Sequence, residues 1–300
     1  MATLPIFATL EPLERILRFT PLGIRFWDPA AGVPVVDGLE VLAMPPDRPD
    51  LARRAARTPA GIYAFHSLPG LSALEFPDPN TPPGEHPPDS PPVTQRFLIY
   101  VRDAFGRFSP CLFFIDAPYR GIFPLQPAGS PAQSLPGFYL FSAPTRTPLA
   151  TLGVVRAQIV ERTTSGQARP AAFAILEVEP PSGPVWPGIA NADGSAVVFL
   201  PQPTFTPPPP QTSPLTPPPS PSRFITWDLT IRVRYASPGL EPLAGFPVPT
   251  LSTVLSQPFA QLYTSLAGPG QLSNQIVSPF TFGQPLLVQT AGRSELWIEG

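Results

Sequence analysis

Two imidazoles and one thiol are the side chains of this sequence best suited to nucleophilic or acid–base chemistry: His66, His86 and Cys111. A metal-free hydrolase needs a base within hydrogen-bond reach of a nucleophile, and a third group to orient that base. The spacing here provides no such set. His66 follows Tyr63-Ala64-Phe65, and strict alternation places it on the face opposite the two aromatics, toward solvent. His86 stands in Pro-Pro-Gly-Glu-His-Pro-Pro, a loop. Cys111 precedes Leu112-Phe113-Phe114 and reads as a small buried residue rather than an activated thiol. One cysteine and two separated histidines make no zinc ligand set. Asn191, Asp193 and Gly194 begin like a calcium loop, but the acidic ligands needed further along are missing, so a turn is the better reading. No glycine-rich phosphate loop joins a strand to a helix. The four tryptophans, Trp27, Trp186, Trp227 and Trp297, read as core or interface anchors, and any exposed one could stack on a sugar. The expectation is therefore a non-enzyme with no cofactor and with no catalytic, cofactor-binding or metal-binding residue.

The elements that must position these residues are set by proline. Fifty prolines in 300 residues exclude long helices, since an interior proline removes a hydrogen bond and clashes with the preceding turn. Disorder is excluded in turn by a hydrophobic content of 43% and a net charge of −2. Short strands and ordered loops remain. All 19 residues counted as Lys+Arg are arginine, a bias that suits protein contacts but also follows from genome-wide base composition. Near-neutral charge without a basic cluster gives no footprint for nucleic acid. Apolar runs such as Phe97–Val101 and Cys111–Ile115 are far shorter than a membrane span. The opening residues, Met1 to Pro5, show no positive stretch before an apolar run, and with a single cysteine the expected compartment is the cytoplasm.

Four blocks recur in order. Leu22–Phe26 answers to Leu152–Arg156, Leu39–Pro46 to Ala174–Pro181, Gly61–Pro69 to Gly194–Pro201 and Leu98–Arg102 to Thr230–Arg234, with offsets between 130 and 135. Each block reads as a strand, and Arg96–Asp103 with Arg107–Asp116 suggests a hairpin around Ala104-Phe105-Gly106. Short strands and turns repeated twice predict an all-β fold of two tandem antiparallel β-sandwiches, residues 1–145 and 146–300. Proline-rich segments Pro77–Pro92 and Pro201–Pro221 fall at equivalent places, Pro207–Pro210 and Pro217–Pro221 within the second favour polyproline II, and Pro124–Pro148 joins the units. The stretch 237–300 has no counterpart in the first unit; a short helix is expected within Leu251–Leu266, and a terminal hairpin around Ala291-Gly292 from Leu286–Gln289 and Leu296–Glu299.

The third block carries a resemblance. Thr58–Gly70, with its turn ending in Gly61, alternating aromatics and then Leu68-Pro69, resembles a carboxypeptidase regulatory-like domain, a prealbumin-type sandwich; Asn191–Pro201 looks like the same element. The resemblance implies an accessory module for packing or binding. Over most of its length the chain is similar to two-domain proteins encoded beside phage-tail-like contractile injection systems, through Gly38–Ala43, Gly61–Gly70, Pro118–Gly121, Phe138–Pro144 and Gln289–Ser294. That likeness implies a structural component of the particle, in its baseplate, cap or an attached accessory, partnered by other subunits and released with the particle. The alternative is a module that binds carbohydrate or cell envelope.

Overall fold

The computed structural model describes residues 20–75, 94–119, 137–163, 166–181, 183–201, 226–266, 271–281 and 283–299. The first half supplies β1 (Leu22–Asp28), β2 (Val33–Pro34), β3 (Leu39–Met44), β4 (Arg53–Arg54), β5 (Ala56–Arg57), β6 (Ile62–Phe65), β7 (Gln95–Asp103), β8 (Cys111–Ala117) and β9 (Phe138–Tyr139). The second supplies β10 (Leu152–Arg162), β11 (Ala168–Pro170), β12 (Ile175–Glu179), β13 (Trp186–Ile189), β14 (Ser195–Pro201) and β15 (Thr226–Arg234). The short helix α1 (Leu251–Leu255) follows, then β16 (Leu262–Ser265), β17 (Gln271–Ser273), β18 (Ile276–Thr281), β19 (Leu286–Val288) and β20 (Leu296–Glu299). The molecule is thus mostly β, in several largely antiparallel sheets with one short helix among the described residues. No helix among them is long and apolar enough to cross a membrane.

Pairing repeats between the halves. β1 lies antiparallel to β6 as β10 does to β14, and β3 to β7 as β12 does to β15. The likeness continues past Arg234, where the sequence offered no counterpart: β18 pairs antiparallel with β15 as β8 does with β7. β19 and β20 run parallel to β10, as β9 runs parallel to β1. Strands β16–β20 therefore do not form an appendage; they belong to the sheets of the second half. The expected terminal hairpin is also corrected. β19 and β20 do not pair with each other but lie end to end along β10, and residues 289–295 bulge out between them, closed by the Thr290 N–H donating to Glu295 O at 3.0 Å. Two of the four sheets formed by the described residues contain these parallel pairs, so the fold is not purely antiparallel.

Side-chain sequence explains the layers. Phe113 of β8 stacks on Phe138 of β9 across the first half, with centroids 4.6 Å apart, and Phe138 meets Phe26 edge-on at 5.7 Å. Tyr63 and Phe65 are buried as the third block predicts, Tyr63 edge-on to Phe26. Each fully buried ring contributes about 1.5–3 kcal/mol relative to exposure. Prolines inside strands stand on sheet edges, Pro187 in β13 and Pro279 in β18, where a missing N–H costs no ladder bond. The unbroken apolar runs of β7 and β8 are buried on both faces, and their outer face is covered by the second half: Phe246 packs on Tyr100 at 5.3 Å and α1 rests on β8. The predicted helix thus forms at Leu251–Leu255, and buried apolar side chains of both halves belong to one contiguous core. The proline-rich segments 77–92 and 202–221, with most of the joining segment, lie outside the described residues.

Candidate functional site

The two halves meet over the outer face of β10 and β14. Strand periodicity puts Leu152, Val154, Arg156 and Gln158 of β10 on that face, paired with Pro201, Phe199, Val197 and Ser195 of β14. Its apolar end, Leu152, Val154, Val197 and Phe199, packs with Ala30 from the turn after β1. That turn is held by the Asp28 carboxylate, which accepts the N–H of Ala30 at 3.1 Å and of Ala31 at 3.2 Å. Arg146 closes the contact. Its guanidinium grips Asp28 with two nitrogens, donates to Ser142 Oγ at 2.9 Å, and stands 5.1 Å from the Phe108 ring and 5.3 Å from the Phe199 ring, one from each half. Both charged side chains are 8% exposed.

Beside this latch lies a groove of about 360 Å³. Trp27, Tyr139 and Trp186 line it, flanked by Pro29, Pro184 and Pro201. β1 and β9 supply the first two aromatics side by side, since Trp27 and Tyr139 are paired residues of a parallel ladder. Gly137 makes room: a Cβ there would lie 2.6 Å from Arg25 O and 2.6 Å from Trp27 Nε1, at a φ of +144°. Trp186 comes from the second half, at the end of edge strand β13, and is partly exposed. Burial pushes the Tyr139 phenol above its ordinary value, so it stays neutral. Asp28 is the one carboxylate among the described lining residues, and its oxygens are turned to Arg146 and the turn amides.

The residues singled out from sequence scatter. His66 is only 29% exposed rather than solvent-facing, because a 3-10 turn at Ser72–Leu74 returns the buried Glu75 to it; its Nδ1 lies 3.9 Å from Glu75 Oε2, and the same carboxylate accepts the Ser67 N–H. His86 lies outside the described residues. Cys111 is buried where β8 meets Val248 and Leu251, and desolvation pushes its thiol far up, away from reactivity. Asn191–Ser195 is a turn: Gly194, at φ +84°, donates to Asn191 O at 3.0 Å, and the Ser195 N–H donates to Asp193 Oδ1 at 3.0 Å. No group of His, Cys, Asp and Glu able to hold a metal is found among the described residues. Of the tryptophans, Trp27 and Trp186 meet in the groove; Trp227 packs edge-on against Phe280 at 5.0 Å, and Trp297 sits beneath Arg293. Sequence did not bring out Tyr139 or the Asp28–Arg146 pair. The pair is 118 positions apart, beyond the reach of local pattern.

No known family model matches the chain, and no curated protein does. Three solved structures are distantly similar. The TIE protein of Bacillus anthracis is 10% identical with a TM-score of 0.23, over 90% of this chain and 34% of that one, so the chain spans about a third of its length. A putative adhesin from Bacteroides ovatus is 9% identical with a TM-score of 0.21, over 72% of each chain. The streptococcal ancillary pilin is 10% identical with a TM-score of 0.21, over 93% of this chain and 68% of that one.

Proposed function

We propose that the protein is a non-catalytic binding module built on paired β-sandwiches, and that the groove between its halves holds carbohydrate of the kind cell envelopes display. The observation that carries this reading is the meeting of Trp27, Tyr139 and Trp186 in one concavity of about 360 Å³, a size that suits a small ligand. The partly exposed Trp186 offers a flat apolar face to the C–H side of a sugar, the largely buried Trp27 and Tyr139 back the groove, and prolines keep the walls stiff. Glycoside cleavage would need two carboxylates; the one carboxylate among the described lining residues, Asp28, is committed to the latch.

On a glycan array, with hits titrated by calorimetry, Trp186→Ala is expected to weaken binding by about tenfold or more, ~1.4 kcal/mol. Trp227→Ala, packed on Phe280 away from the groove, should leave it unchanged. Absence of any glycan bound by the native chain, or equal binding by the Trp186→Ala protein, refutes the reading.

A narrower reading makes this module a structural component of a phage-tail-like contractile injection particle, contacting neighbouring subunits. It is supported by the sequence resemblance, two pieces of which, Phe138–Pro144 and Gln289–Ser294, border the junction of the halves. Electron microscopy and immunoblotting of particles purified from the native operon should find the chain; its absence both before and after detergent treatment rejects a particle role.

A further inference from the structure

The outer face of β10 and β14 does not end at the latch. Beyond the apolar residues covered by the first half, Arg156 and Gln158 form the floor of a second concavity, of about 370 Å³. The turn at Asn191–Asp193 walls one side, and the 289–295 bulge contributes Gln289 and Ser294 to the other. Its lining differs from that of the aromatic groove: beside the apolar Pro144, Ala157, Ala196, Leu287 and Val288 it carries guanidinium, carboxamide, carboxylate and hydroxyl groups, with no aromatic ring among the described lining residues.

The floor is held in place. Arg156 donates through Nη1 to Pro144 O at 2.6 Å. That bond fixes the side chain and leaves its other nitrogens without a carboxylate within ion-pair distance among the described residues. Gln158 is locked by the Ser195 Oγ donor at 2.8 Å and by its own donation to Asp193 O. Fixed guanidinium planes match carboxylates in a two-point fork, and little side-chain entropy is then left to lose on binding. The carboxamides of Asn191 and Gln289 make no hydrogen bond among the described residues, and each can both donate and accept, as hydroxyl groups do.

We propose that this concavity is a second ligand site, for a carboxylate-bearing saccharide: Arg156 takes the carboxylate, and Asn191, Gln289 and Asp193 take ring hydroxyls. Several carboxamide and hydroxyl groups around one guanidinium suit a hydroxyl-rich ligand, which can engage them together. The site is independent of the aromatic groove, and either assignment can fail without the other.

Calorimetry with uronic-acid disaccharides, each paired with its methyl ester, tests the proposal on the full chain. The ester keeps the rings and removes the charge. At least one free acid should bind about tenfold or more tightly than its ester. Arg156→Gln should reduce the acid to the level of the ester, with near-ultraviolet circular dichroism unchanged, and Arg156→Lys should recover part of the difference. Gln289→Ala, on the exposed bulge, should weaken acid and ester alike by a few-fold. Trp186→Ala should alter none of these values, which separates this site from the groove. Equal binding of every acid and its ester, absence of binding by all of them, or indifference to both Arg156→Gln and Gln289→Ala overturns the proposal. Tighter binding by a short peptide with a free C-terminus overturns the saccharide class.

Discussion

Arg146→Ala should lower stability by about 3–5 kcal/mol, the range seen when one member of a buried ion pair is removed, and lower the unfolding temperature on the order of 10 °C. The charge left behind explains the size. Asp28 would keep the two amide donors of Ala30 and Ala31 on Oδ1 but lose both guanidinium bonds, and Ser142 Oγ would lose its donor. The Phe108 and Phe199 rings would face a void where a planar cation now stands near both. Arg146→Lys is a point charge without the fork or the plane, and should lose about half as much. Asp28→Asn with Arg146→Met removes both charges and should cost less than Arg146→Ala alone, because no uncompensated charge stays buried. Urea unfolding followed by far-ultraviolet circular dichroism and by tryptophan fluorescence measures all three. A loss below about 1 kcal/mol for Arg146→Ala would put the pair with exposed salt bridges and remove it as the latch of the junction.

The latch also shows where sequence reasoning reached and where it stopped. Blocks such as Leu22–Phe26 carry their structure locally, in period-two burial, and four blocks in one order at offsets of 130 to 135 exposed the duplication. The segments around Phe97–Val101 and Cys111–Ile115 were legible as a hairpin, but not that the second half covers its outer face. The counterpart of β8 was hidden because 41 residues separate Arg234 from Ile276, which moves the offset from about 132 to 165 between Cys111 and Ile276. Inside that insertion, Phe246 and α1 reach back to cover the first half, a contact between positions far apart in the chain. The groove was half legible. Tryptophans could be marked as anchors, but neither spacing nor composition distinguishes Trp186, at an open strand end, from Trp227, folded against Phe280. Likewise, the alternation Leu152, Val154, Arg156, Gln158 contained the change from a covered to an open face, which becomes readable only once the first half is seen to sit on the apolar end.

Gly188→Ala is the substitution with the next largest expected effect, a loss of about 3 kcal/mol, near the upper end for overpacking. Gly188 lies in β13 opposite Leu176, on the face turned toward β14 of the other sheet. A methyl group there would come within 2.3 Å of Val197 O and 2.9 Å of Val198 Cγ2. The first of these is backbone in a seven-pair ladder and cannot swing aside. Adding Val198→Ala removes the side-chain clash only, so the double variant should stay nearly as unstable as Gly188→Ala. Relief must come from β13 itself, which is an edge strand and free to shift outward. Trp186 starts that strand, two residues away, so the shift would widen the groove and weaken glycan binding along with the fold. Thermal unfolding and the glycan titration, run on the same protein, test both consequences. Wild-type stability with intact binding would mean that the two sheets do not approach as closely at Gly188 as a bare Cα requires. Binding lost without instability would locate the strain in the groove wall alone, and coupling between sheet spacing and ligand affinity would then be confined to the Trp186 end of β13.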